Sequence, residues 1–365
     1  MKEPVTIALL PYAQAEILKS LFESEGIECS LQNTNLIQGA VSSGVKIRIS
    51  GDNLGKAYPI LNRFMGEKDQ PEMHYENTIL IPVDFSDYSF KAALTGYEIA
   101  CKLKSKLLLY HVMLQPDFFT VPYSEAMVFN SGLYEHLDEQ EKLAHEHLRQ
   151  FMEKLTGYVG SANWRQLQSE YMIKMGYPED DILNFTEKHP PRLVVMGIKG
   201  PSQDRYSIMG STTAGVIYKS QIPVLVIPEK APLINLASMK KVVYATNFDD
   251  QDFISIDKLV GLLKPFNTKI DILHIGTDFP KEWINARMKN MEDKIQSQYP
   301  DISFQCVTIP GKDLLATLED YIIENEVDVL SLTTHKRNMI TRIFNPSVAR
   351  RMVFHIKTPL LVFHS

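Results

Sequence analysis

The residues best suited to chemistry lie in one short run, MGIKGPSQDRYSIMGSTT, residues 196–213. Gly197 and Gly200 are separated by two residues, nine more lead to Gly210, and Ser211 follows directly. With no Cβ, main chain at such positions can approach a bound group closely. A helix beginning after Gly210 would present unpaired N–H groups and a positive dipole end to phosphate oxygens, with the hydroxyls of Ser211, Thr212 and Thr213 beside them. Asp84 closes the apolar run TILIPVD and can accept a hydrogen bond from a ribose hydroxyl. Glycines also simply make turns, and a Ser-Thr pair also simply caps a helix. Placement favours the ligand: the glycines follow an apolar strand and precede a helix, while the aspartate ends another strand.

Turnover would need more than this. Lys199 and Arg205 could neutralise phosphates, but no G-x-x-x-x-G-K-(S/T) loop holds them. Phosphoryl transfer also needs carboxylates for Mg²⁺ and a group to orient the nucleophile, and Asp84 is the one carboxylate well placed for this. Asp180 and Asp181 read as the start of a helix. His145 and His147, two apart on a helix, do not face one ligand. We expect neither a catalytic residue nor a metal site within the protein.

The strands and helices that must hold these residues recur twice. After Asn77 the chain alternates apolar strands with amphipathic helices: TILIPVDF, a helix over 88–103, KLLLYHVML, a long helix around 133–155, QSEYMIKM, a helix over 180–188, RLVVMG, a helix after Gly210, and PVLVIP. Leu133, Leu137, Leu148, Phe151 and Leu155 mark the apolar side of the long helix. Five strands with helices between them imply a parallel, doubly wound sheet. In such sheets ligands bind beyond the carboxyl ends of the strands where the winding reverses. A second, shorter copy follows: VVYATNFDD matches ILIPVDFSD, KIDILHI matches KLLLYHV, VDVLSLTTH matches PRLVVMGIK, and TPLLVFHS matches IPVLVIPE.

Ahead of both copies, residues 1–66 form a smaller α+β segment. It holds a helix over 13–25 with Ile17, Leu18, Leu21 and Phe22 on one face, strands IECSLQN and GVKIRIS, and a helix over 52–64 kinked at Pro59. The expected domains are therefore 1–66, a linker at 67–75, 76–230, a second linker at 231–238, and 239–365. The hydrophobic fraction of 44% and charged fraction of 22% are ordinary for a globular chain of 365 residues. A net charge of −6 argues against nucleic acid as the main partner. No apolar run approaches the roughly 20 residues needed to cross a bilayer, and the N-terminus makes a poor signal peptide. Cys29, Cys101 and Cys306 lack metal-ligand spacing and read as buried, reduced thiols, which implies a cytoplasmic protein.

At these residues the chain resembles the universal stress protein family in tandem form. The family signature G-x2-G-x9-G-(S/T) is met by Gly197, Gly200, Gly210 and Ser211, its strand-end aspartate by Asp84, and its second-strand ending by His111-Val112. The resemblance implies two tandem five-stranded folds of the adenine nucleotide alpha hydrolase kind. It also implies ATP or a related adenine nucleotide, with Mg²⁺ as an accompanying ion. Asp84 would lie near ribose and adenine, and Val112 against the base. Pro82, Val83 and Met196 would line the adenine slot, and Gly197, Lys199, Gly200, Gly210, Ser211, Thr212 and Thr213 would surround ribose and phosphates. Family members pair through their last strands, so PVLVIP and PLLVFHS would dock the copies on each other; a homodimer and a protein partner are further expectations.

The second copy departs from the pattern. Asn247 stands for Asp84, Thr333 for Gly197, Lys336 for Gly200 and Pro346 for Gly210, and only Ser347 survives. One nucleotide per chain is the expectation. His335, Lys336, Arg337, Arg342, Arg350 and Arg351 read as a solvated basic face, with an anion site as the alternative. Residues 1–66 resemble a family of prokaryotic signal-transducing domains with a ferredoxin-like fold, which implies docking or dimerisation. Three functions fit: a nucleotide-binding regulator, an interaction scaffold with a vestigial site, and a slow ATPase or transferase, the regulator being favoured by the intact glycine set.

Overall fold

Alternation along VKIRIS builds the first sheet. In this computed structural model, which describes residues 4–10, 12–33, 45–64, 75–114, 130–198, 211–229, 231, 239–248, 252–276, 280–311, 313–334 and 358–364, the chain forms two compact units. The first unit contains β1 (Pro4–Leu10), α1 (Tyr12–Ser24), β2 (Cys29–Asn33), β3 (Val45–Ser50) and α2 (Leu54–Phe64). Val45, Ile47 and Ile49 are buried while the residues between them are not, as period-two alternation requires. The sheet order is β1-β3-β2 with both pairings antiparallel. Ala15, Leu18 and Phe22 of α1 pack on it with Ala57 and Leu61 of α2. Ile17 and Leu21, expected on the packed face, are instead 56% and 39% exposed. A sheet this narrow covers one stripe of the helix, and those two side chains lie just outside it. The α2 helix runs on through Pro59.

The second unit is built on one sheet of ten strands. Its first half contains β4 (Thr78–Pro82), α3 (Asp87–Leu103), β5 (Lys106–Leu114), α4 (Asn130–Val159) from residue 141 on, α5 (Ser161–Trp164), β6 (Ser169–Gly176), α6 (Pro178–Lys188), β7 (Leu193–Ile198), α7 (Ser211–Lys219) and β8 (Val224–Pro228). Its second half contains β9 (Lys241–Ala245), α8 (Asp252–Leu263), β10 (Lys269–Ile275), α9 (Lys281–Gln298), β11 (Phe304–Ile309), α10 (Leu314–Glu324), β12 (Val329–Thr334) and β13 (Leu360–His364). The strand order is β11-β10-β9-β12-β13-β8-β7-β4-β5-β6. Every neighbouring pair is parallel except β13 and β8, which meet antiparallel with Leu361 opposite Leu225.

β4, β7 and β8 are buried along their whole length, which explains their near-continuous apolar sequences. One continuous hydrophobic cluster runs through both halves, from Ile79, Leu107 and Leu155 to Val242, Ile272 and Phe363. Leu148, Phe151 and Leu155 of α4 are buried as expected, while the side chains of Leu133 and Leu137 lie outside the description. All three cysteines are free, but none is fully buried as expected: Cys29 and Cys306 are partly buried, and Cys101 is exposed because it falls on the solvent side of the last turn of α3 beside Lys102. No helix among the described residues is long and apolar enough to cross a membrane.

Candidate functional site

β4 pairs directly with β7, and the winding reverses between them, so Asp84 and Gly197 stand at the carboxyl ends of adjacent strands. Just past β4 the chain turns sharply. Phe85 adopts a φ of 65°, a left-handed conformation uncommon for a bulky residue. This turn delivers Ser86 to the N-cap of α3, where its hydroxyl accepts from Ser89 N at 3.2 Å. The same hydroxyl donates to Asp84 Oδ1 at 2.5 Å, Ser86 N donates to that oxygen at 3.1 Å, and Tyr88 Oη donates to Asp84 Oδ2 at 2.7 Å. Partial burial opposes the charge on Asp84, but these donors outweigh it and hold the carboxyl below its ordinary pKa of 3.8. An ionised, oriented carboxylate results.

Beside it opens a cleft of about 170 Å³. Pro82, Val83, Val112, Met196, Pro178 and Ile182 make its apolar walls, and Asp84, Tyr88, Thr212 and Thr213 contribute polar groups. Val83 faces it as a side chain, since its N–H is taken by Tyr110 O at 2.9 Å and its carbonyl by His111 Nδ1 at 2.8 Å. The imidazole of His111 also lines the cleft and stacks on Phe85 at 4.3 Å. Burial pushes its pKa below the ordinary 6.5, against the pull of the Val83 carbonyl and Asp84, so Nδ1–H donates to Val83 from a neutral ring.

Eight of the expected site residues line this cleft: Pro82, Val83, Asp84, Val112, Met196, Gly197, Thr212 and Thr213. Ser211 opens α7, but its side chain, like Lys199, Gly200 and Gly210 altogether, lies outside the described residues. Two assignments change in detail. A Cβ on Gly197 would sit 2.3 Å from Tyr88 O and 2.9 Å from Ser89 N, so the missing side chain makes room for the first turn of α3 rather than for a ligand. Thr213 directs its hydroxyl to Gly197 O at 3.2 Å and fastens α7 to β7. Tyr88, Tyr110, His111, Pro178 and Ile182 were not foreseen as lining residues; His111 had a signal, standing beside Val112 in the second-strand motif. Asp180 and Asp181 do begin a helix, where Asp181 Oδ2 accepts from Tyr177 N at 2.8 Å. His145 and His147 are exposed on α4.

The second half repeats the turn but closes over it. Phe248 has a φ of 61° and stacks on His274 at 4.3 Å and 35°, the same separation and tilt as Phe85 and His111. His274 Nδ1 contacts Thr246 O at 3.1 Å. At the positions of Ile81, Val83, Ser89 and Gly197, however, stand Tyr244, Thr246, Asp252 and Thr333, all buried. Tyr244 Oη donates to Asp252 Oδ1 at 2.8 Å and lies 2.6 Å from Thr333 Oγ1, while Thr246 Oγ1 donates to Asp252 Oδ2 at 2.5 Å. Hydrogen-bonded side chains thus occupy the interior beneath this turn. Lys336, Pro346, Ser347, His335, Arg337, Arg342, Arg350 and Arg351 lie outside the described residues.

Residues 76–228 match the model of the universal stress protein family. That match covers the first half of the ten-stranded sheet, β4 to β8. Universal stress protein MJ0531 of Methanocaldococcus jannaschii is 28% identical over 149 residues, 41% of this chain and 80% of that protein. Universal stress protein MJ0577 of the same organism is 27% identical over 158 residues, 42% of this chain and 94% of that protein. A solved universal stress protein from Archaeoglobus fulgidus DSM 4304 shares the fold, with a TM-score of 0.58 at 17% identity over 79% of this chain and 98% of that one. This likeness covers more of the chain than the segment matched by the family model. Among the described residues, no three or more His, Cys, Asp or Glu side chains are grouped to hold a metal ion.

Proposed function

We propose that residues 76–230 bind one adenine nucleotide, ATP or a close relative, and that its presence regulates the contacts of the chain with a protein partner without turnover. One observation carries this reading. An ionised Asp84 and the N-terminus of α7 converge on one apolar cleft at the carboxyl ends of adjacent strands. Val83, Val112, Met196 and Ile182 would enclose the base, and Asp84 would accept from the ribose. The first turn of α7 would meet the phosphates, together with Lys199, Gly200 and Gly210 if the family pattern holds. Mg²⁺ would travel with the phosphates, Asp84 being the one carboxylate lining the cleft among the described residues.

In this reading residues 239–365 are a tandem copy that has lost its site, and residues 1–66 are a ferredoxin-like docking or dimerisation module of a cytoplasmic protein. Denaturing the purified protein and assaying the supernatant for adenine nucleotide tests the proposal. Release of near-stoichiometric nucleotide, abolished in Gly210→Val with the fold intact, is expected. A wild-type chain that neither carries nor takes up ATP would leave the scaffold reading instead. Metal-dependent hydrolysis lost in Asp84→Ala would establish the slow ATPase.

A further inference from the structure

A carboxylate offers about four lone-pair positions to donors. On Asp84 three are occupied by donors among the described residues: two on Oδ1, by Ser86 Oγ and Ser86 N, and one on Oδ2, by Tyr88 Oη. Ser89 Oγ lies near enough to help lower the Asp84 pKa, but its one proton goes to Ser86 O at 3.0 Å. One acceptor position, on Oδ2, is left for the cleft. None of the donors is free to move away. Ser86 Oγ also caps α3 by accepting from Ser89 N, so its proton points to Asp84. The main chain of Tyr88 rests on Gly197, with no room for even a methyl group between them. The Tyr88 side chain is half-buried, lines the cleft, and has its own pKa raised, first by burial and then by the bond to Asp84, so it remains a donor.

We propose that Tyr88 is a positioning residue which restricts Asp84 to a single hydroxyl of a bound ribose. This rests on the reading of the cleft as a nucleotide site. A carboxylate with both oxygens free can take the two vicinal hydroxyls in a fork; this one cannot, because the second position on Oδ2 already holds the phenol proton. The cleft therefore distinguishes the two ribose hydroxyls, and the one not met by Asp84 is left to solvent.

The test is calorimetric titration of the full chain with ATP, 2′-deoxy-ATP and 3′-deoxy-ATP, repeated on Tyr88→Phe. In the wild type, one deoxy analogue should bind about tenfold or more weaker than ATP, as expected for losing a hydrogen bond to a charged group, while the other stays close to ATP. In Tyr88→Phe the freed acceptor should make the second analogue weaker than ATP as well, a change in ratio that a general loss of stability would not produce. Equal weakening by both analogues in the wild type, or unchanged ratios in the variant, overturns the inference while leaving nucleotide binding in place. Failure of the wild type to bind any of the three overturns the nucleotide reading itself, and this inference with it. The wild-type comparison decides between one hydroxyl and two without the variant.

Discussion

Adding one carbon at Gly197 should disturb both stability and binding. In Gly197→Ala the new Cβ would lie 2.3 Å from Tyr88 O, 2.5 Å from Tyr88 C and 2.9 Å from Ser89 N, where ordinary contact begins at 3.4 Å. All three are main-chain atoms, so no rotamer change relieves the clash. The first turn of α3 must lift from β7 by roughly 1 Å, and overpacking of this kind costs about 3 kcal/mol. The same movement carries Ser86 and Tyr88 away from Asp84, and a misplacement of that size should weaken nucleotide binding by at least about tenfold. The protein has two tryptophans, and Trp164 stacks on Tyr97 in the first half at 5.5 Å. Urea unfolding followed by Trp164 fluorescence in a Trp283→Phe background therefore reports on the relevant half. Gly157→Ala is the control: its Cβ meets nothing within 4 Å on α4, and the change should stabilise by about 0.5–1 kcal/mol. If Gly197→Ala unfolds within about 0.5 kcal/mol of wild type, the close packing of α3 on β7 is wrong.

Three other outcomes are expected. Tyr244→Phe removes a donor from the buried Asp252 and a partner from Thr333, and should destabilise by about 1–3 kcal/mol in urea unfolding read at Trp283; an unchanged midpoint would contradict the buried network. His364 contacts Ile217 O through Nε2 at 2.5 Å, and its buried Nδ1 has no hydrogen-bond partner among the described residues. Burial lowers its pKa from 6.5, so its contribution is complete above that value and falls away as acid drives the pH down through 6.5 towards the folded pKa. The stability gap between wild type and His364→Gln should change over that window and stay constant above it; parallel curves throughout would rule the effect out. Calorimetry with ATP should find one site per chain, and two tight equivalent sites would refute the closed reading of the second half.

The strands were legible because burial on both faces writes them as unbroken apolar runs: KLLLYHVML predicts β5 to the residue. The winding rule put the site at the reversal but did not by itself make Asp84 and Gly197 neighbours; the pairing of β4 with β7 does that. Other features left weaker traces. PVTIALL at the start reads as a bare apolar stretch and turns out to be β1, whose partner β3 lies beyond α1 and β2. α9 is mostly polar, burying only Ile284, Met288, Met291 and Ile295, so its stripe is too thin to stand out. Tyr88 carried no motif, because its bond to Asp84 depends on the left-handed turn at Phe85, which a phenylalanine does not announce. The glycine at 197 was recognised as a place of close approach, but what approaches is a helix, and only packing reveals that.

The antiparallel seam between β13 and β8 has a further consequence. Because the same chain supplies both sides of it, the seam forms at any protein concentration, and diluting the sample should leave it closed. It also uses up the strand edge of each half, leaving β6 and β11 as the sheet's outer margins among the described residues. Two separate copies meeting about a twofold axis would have to change together with every mutation. Joined covalently, the halves need not match: one fills its interior with tyrosine, threonine and aspartate, and the other has a cleft.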